Sequence, residues 1–248
     1  MESVESGALY RLVDGSGGNL LVEAEELDGF FVSPGDDSSE VAFLRARLGE
    51  RPPRRVEDAV LEVVNTQRER IGEYLVGGVI FGDSGTADAR GEVPRVSFRH
   101  FGDRCEYPEA AAIWLRWASG RPLRTGEWLQ RPVGHYQAWL HVVRNSWFAT
   151  GHSAVRYGNA EVMTLDGAST VTKAGFYCAL GEAANGPGGY FGSNLDALAD
   201  CLRSSPVGTR PARLLWKDFS SSEEALGKQF VSAITAVLGE FGVVVEVR

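Results

Sequence analysis

Lysine is nearly missing from this chain. It occurs only at Lys173, Lys217 and Lys228, and the rest of the 25 basic residues are arginine, a bias that GC-rich bacterial coding produces and that says little about mechanism. Basic charge as a whole is in short supply: 25 Lys and Arg stand against 33 Asp and Glu, for a formal net charge of -8. Direct nucleic-acid binding depends on neutralising phosphates with a basic surface, so it is not expected, whereas an acidic protein suits a basic protein partner. Cysteine is equally sparse. Cys105, Cys178 and Cys201 make an odd count with no CxxC spacing, which suggests neither a disulfide framework nor a zinc site and fits a reducing cytoplasm. Long apolar runs are absent too. Residues 74–81 and 243–247 fall far below the roughly 18 residues a membrane-crossing helix requires, so no membrane is expected, and the acidic, apolar-poor first residues lack the features of a secretion signal.

What is present is ample apolar material: 44% hydrophobic against 23% charged residues over 248 positions, enough for one large or two modest cores. Two domains are expected. Residues 8–13 and 19–24 flank Asp14-Gly15-Ser16-Gly17-Gly18 and read as a hairpin, with a possible third strand over 30–33. The breaker-rich stretches 33–39 and 50–55 enclose residues 40–48, whose apolar spacing predicts a short helix. Residues 60–64 and 71–81 are rich in β-branched and aromatic residues and predict strands, with helix the alternative for the first, and 95–101 alternates like a strand. Helices are expected over 108–119 and 134–148. The segment 1–152 is therefore read as an α+β domain, ending in a small, polar stretch near 149–160. Five of six tryptophans, Trp114, Trp117, Trp128, Trp139 and Trp147, fall in its second half. Buried packing is the preferred reading of that cluster, and a partner-binding surface the other.

Beyond the boundary the pattern changes to α/β. Strands are expected over 161–165, 213–216 and 243–247, and helices from 173, over 193–203 and over 222–238. Alternating strands and helices predict a three-stranded parallel sheet covered by helices. In the helix at 193–203, Leu195, Leu198 and Leu202 recur at i, i+3 and i+7 as a buried stripe, while Asp196 and Asp200, four residues apart, share another face.

The run Gly-Tyr-Phe-Gly-Ser-Asn-Leu-Asp-Ala-Leu-Ala-Asp-Cys-Leu over 189–202 resembles the central loop and helix of the barstar family. The resemblance extends back through Leu165-Asp166-Gly167 and forward through Leu215-Trp216-Lys217 and Phe219, so it covers about 160–248 and none of the rest. It implies an intracellular protein inhibitor of a secreted or toxin ribonuclease, an immunity-type role in the producing cell. Carried over residue by residue, it implies partner contacts at Tyr190, Gly192, Asn194, Leu195, Asp196 and Asp200. The chemistry is sound without the name. A ribonuclease site must be cationic to hold phosphate, and carboxylates can occupy the arginine forks that phosphate would use. Three departures stand out. Ala199 replaces a tryptophan common just before the second aspartate, Ser204 and Ser205 replace a further aromatic, and Val237 with Glu240 stands where the last helix of such inhibitors carries a contacting acid.

Blander explanations accompany each residue. Asp196 follows Ser193 by three and fits a capping-box acid; Asp200 fits a solvated face; Tyr190 fits a loop residue folded onto its own domain; Cys201 fits a core thiol. The best enzyme constellation, His100, Asp103, Cys105 and Glu106, matches no mechanistic spacing. His135, His141 and His152 lack helical zinc spacing, and Gly15 to Gly18 is not followed by the lysine and hydroxyl of a phosphate loop. No catalysis, metal or cofactor is expected. The rival to an inhibitor is an adaptor scaffold whose barstar-like module holds a non-nuclease protein.

Overall fold

Alternating β-branched and polar residues bounded by glycine- and asparagine-rich turns build the first half. In the computed structural model, which describes residues 7–36, 40–50, 53–82, 91 and 93–248, β1 (Tyr10–Asp14) and β2 (Leu20–Asp28) form the expected hairpin, Tyr10 opposite Ala24. They are followed by β3 (Glu40–Leu48), β4 (Arg55–Val64), β5 (Arg70–Phe81) and β6 (Val93–His100). The six close into an antiparallel barrel in the order β1-β2-β3-β6-β5-β4. Leu12, Val22, Phe43, Leu61, Val79 and Phe98 fill its interior, with Phe43 and Phe98 stacked at 5.3 Å. The tight β4–β5 turn is held by Asn65, whose Oδ1 accepts from the N–H groups of Gln67 and Glu69. α1 (Ala110–Ala118) follows, burying Ile113 and Trp114.

Two expectations for this half are corrected. Residues 40–48 are a strand, not a helix. Val41, Ala42, Phe43 and Ala46 are buried there, and β3 is paired on both sides, to β2 and β6. A left-handed residue, Arg45 at φ 51°, interrupts the strand, which is how apolar residues at helical spacing come to sit in a sheet. Residues 30–33 form no strand of their own, only a single bridge from Phe31 to Cys105. Of the breaker-rich stretches, residues 37–39 and 51–52 lie outside the described residues, as does the acidic start at 1–6.

The chain divides into two compact units, Met1–Arg121 and Pro122–Arg248. The segment 122–152, placed by its sequence with the first half, thus falls in the second unit. There, single 3-10 turns at Glu127–Gln130 and Val133–His135 lead into α2 (Tyr136–Ala149). Next come β7 (Val162–Asp166), α3 (Lys173–Asn185), α4 (Leu195–Ser204), β8 (Arg213–Lys217), α5 (Phe219–Leu226), α6 (Lys228–Glu240) and β9 (Val244–Val247). The sheet is parallel throughout in the order β7-β8-β9, as the alternation of elements predicts. The single helix expected over 222–238 is two, broken where Gly227 takes φ +85°. Phe176, Leu180, Leu198, Trp216, Ile234 and Leu238 make the core. Trp216 donates its indole N–H to Ser222 Oγ at 2.9 Å, so this buried donor is paired.

Of the five, Trp114, Trp128, Trp139 and Trp147 are buried and Trp117 is half-buried against Trp114, so packing accounts for the four. Trp114 serves the first unit, and Trp128, Trp139 and Trp147 the second.

Candidate protein-binding site

The site is built from the end of α3, the loop after it and the first turns of α4. Asn185, the last residue of α3, fixes the loop through its side chain. Its Nδ2 donates to the Tyr190 carbonyl at 2.7 Å, and its Oδ1 accepts from Tyr157 N–H at 2.6 Å. Gly181 lets the loop lie directly on α3, because a Cβ there would fall 2.2 Å from the Gly189 carbonyl oxygen. Gly192 is buried at φ +100°, and a Cβ would sit 2.9 Å from Leu198 Cα. Only glycine meets both demands without strain.

α4 begins one residue later than its sequence implies. The cap is Asn194, not Ser193: Asn194 Oδ1 accepts the Ala197 N–H at 2.8 Å. Asp196 therefore lies in the first turn as an exposed acid favoured by the helix dipole, outside any capping box. The buried stripe is Leu198, Cys201 and Leu202, with Leu195 half-buried. Burial pushes the Cys201 thiol up to about 12, nearby Asp200 adding to the effect, so it is a core thiol.

Asp196 and Asp200 are both exposed, one turn apart on α4. Asp200, with 64% of its side chain exposed, pairs with Arg203. An exposed pair of this kind contributes about 0–1 kcal/mol, so it yields easily to a better cation. Tyr190 is turned inward. It is only 4% exposed, its ring lies edge-on to Phe148 of α2, and its hydroxyl is 3.5 Å from Ser193 Oγ. Burial, ahead of its neighbours' charges, raises its pKa. The inward alternative is the one its geometry describes. Phe148, absent from the sequence-derived set, is a large exposed aromatic touching that set. Its signal was an apolar residue on the polar face of a helix assigned to the other half.

Glu240 ends α6 and is exposed. The adjoining Phe241 carries the guanidinium groups of Arg203 and Arg210, each 5.8 Å from its ring centre.

In the barrel, burial pushes the Cys105 thiol up to about 11, and burial followed by Arg104 lowers the His100 pKa. A nucleophilic thiolate is thus disfavoured there. Among the described residues no three His, Cys, Asp or Glu side chains are placed to hold a metal ion, and no helix is long and apolar enough to cross a membrane.

The second unit is therefore a parallel α/β domain presenting an anionic helix and a glycine-shaped loop, the layout of a protein-binding module. Residues 160–242 match the family model described as Barstar (barnase inhibitor), and the N-terminal region matches no family. No curated protein and no solved structure matches the chain. The matching family is one of inhibitors rather than catalysts, and it gives the C-terminal part a protein-binding role of the ribonuclease-inhibitor kind.

Proposed function

We propose that the C-terminal unit inhibits a basic secreted or toxin ribonuclease, protecting the cytoplasm of the cell that makes both. The face of α4 and the loop before it enter the enzyme's cationic cleft and occupy positions meant for substrate phosphates. The observation that carries this reading is the solvent-facing pair Asp196 and Asp200, one helical turn apart beside a rigid loop. Gly192 and Asn194 act by shaping the loop and starting the helix, and Leu195 by offering a half-exposed apolar edge. Charge complementarity supports the pairing, since the whole chain is acidic.

The test is stoichiometric inhibition of basic secreted ribonucleases, barnase first, by the purified protein. Asp200→Ala should weaken inhibition by about 2 kcal/mol or more, roughly thirtyfold in the inhibition constant. A variant as potent as the parent removes Asp200 from the contact. Failure of the parent against every nuclease tried, with only non-nuclease proteins recovered from its native cell, favours the scaffold instead.

A further inference from the structure

Phe148 is an exposed aromatic that touches Tyr190 of the proposed contact surface from outside the family's span, which begins at residue 160. Its ring is 44% exposed and meets Tyr190 at 5.4 Å and 65°. Tyr190 in turn reaches Ser193, the residue before the α4 cap. Phe148, Tyr190 and the start of α4 therefore form one continuous strip within the second unit. The position is rigid. The neighbouring Trp147 is buried and donates its indole N–H to the Ser153 carbonyl at 2.8 Å, and Ala149 on the other side is buried too.

Exposed aromatics on a fixed backbone lose little freedom on binding, which is what makes them frequent anchors at interfaces. Two further facts point the same way. Tyr190 is too buried to offer a partner much area, and Ala199 offers little apolar surface on α4 itself. Beside its two exposed acids that surface would otherwise have only the half-exposed edge of Leu195 as apolar area, although tight interfaces surround their charged contacts with water-excluding apolar area.

Resting on the inhibitor reading, we propose that Phe148 is a further partner-contact residue, an aromatic anchor supplied by α2 that widens the acidic face. The occupant is the same basic ribonuclease, engaged through an apolar rim beside its cationic cleft. Arg144, exposed one turn earlier on α2, makes that edge unsuited to a cation, so the contact there is apolar.

The experiment titrates barnase and a set of other basic secreted ribonucleases with the full-length protein and its Phe148→Ala, Phe148→Lys and Asp200→Ala variants, each checked for an unchanged cooperative melt. Phe148→Ala should weaken inhibition about tenfold. Phe148→Lys, which turns a cation toward a basic partner, should weaken it further. If the parent inhibits and Asp200→Ala does not, while both Phe148 variants match the parent, the inhibitor reading stands and this inference falls. Tighter inhibition by Phe148→Ala also overturns it, because Phe148 would then be a cover over Tyr190. A parent that inhibits none of these enzymes overturns both.

Discussion

Single residues set the shape of the contact loop. Gly192→Ala forces a Cβ into backbone 2.9 Å away at a left-handed φ, so a loss of roughly 1–3 kcal/mol is expected, read as a lowered urea midpoint. Asn194→Ala removes the α4 cap and should cost about 1 kcal/mol, with Asn194→Asp restoring most of it. His141 makes stability depend on pH in the same direction as a salt-bridged acid, because its folded-state pKa is lowered too. Burial, with Arg144 adding to it, pushes its imidazole down to about 4. The unfolded chain therefore takes up a proton near its ordinary value of about 6.5 while the folded one does not. Stability is fully present above that value and falls as pH drops toward 4, by at most about 3 kcal/mol. Melting curves between pH 7 and 4 should show this slope, and His141→Leu should flatten it. At this scale the acids were legible, because a four-residue spacing on a helix fixes a shared face. Tyr190 stayed between an outward and an inward reading, because the ring it packs against, Phe148, lies more than forty positions earlier in the chain. The cap slipped by one residue for a local reason: Ser193 and Asn194 are both good caps, and only the backbone decides between them.

Elements show where periodicity suffices and where it fails. Helices such as α2 and α4 announce themselves by an apolar stripe with cap residues at hand. β3 was unreadable because Val41, Leu44 and Leu48 fall at helical spacing, while its two neighbouring strands and the kink at Arg45 override that pattern. The break between α5 and α6 rests on one glycine that the sequence alone cannot tell from a tolerated one. Docking between elements gives a sharper test. Gly72 on β5 lies under α1, where a Cβ would meet Trp114 Cη2 at 2.4 Å. Trp114 is fully buried and bonded to the Tyr74 hydroxyl, so it cannot swing aside. Gly72→Ala should therefore destabilise the barrel unit by about 1–3 kcal/mol, measured as an earlier transition of that unit alone.

For the whole molecule, the boundary was the least legible feature. Residues 149–160 look like a linker because they are small and polar, yet Arg156 among them is buried, donates to the Thr209 carbonyl, and has its own N–H bonded to Ser205 Oγ. Upstream, Trp128 and Tyr136 pack so closely on Gly175 of α3 that a Cβ there would lie 3.2 Å from each ring. The Glu182 carboxylate, its pKa raised chiefly by burial, accepts from the Gly126 N–H at 2.8 Å and more distantly from the Trp128 indole. Local composition carries no trace of such long-range ties. Residues 122–248 produced alone should accordingly unfold in one cooperative step, while a fragment starting at 153 should melt far lower or fail to fold, as circular dichroism would reveal. A fragment from 153 as stable as the longer one would return the boundary to where composition put it.

The ring of strands in the first unit has a further consequence. A sheet that returns on itself has no frayed margin where a stranger's backbone could zip on and seed a fibre. The closed barrel therefore offers no strand edge for self-association in a chain whose other half is proposed to bind a foreign protein.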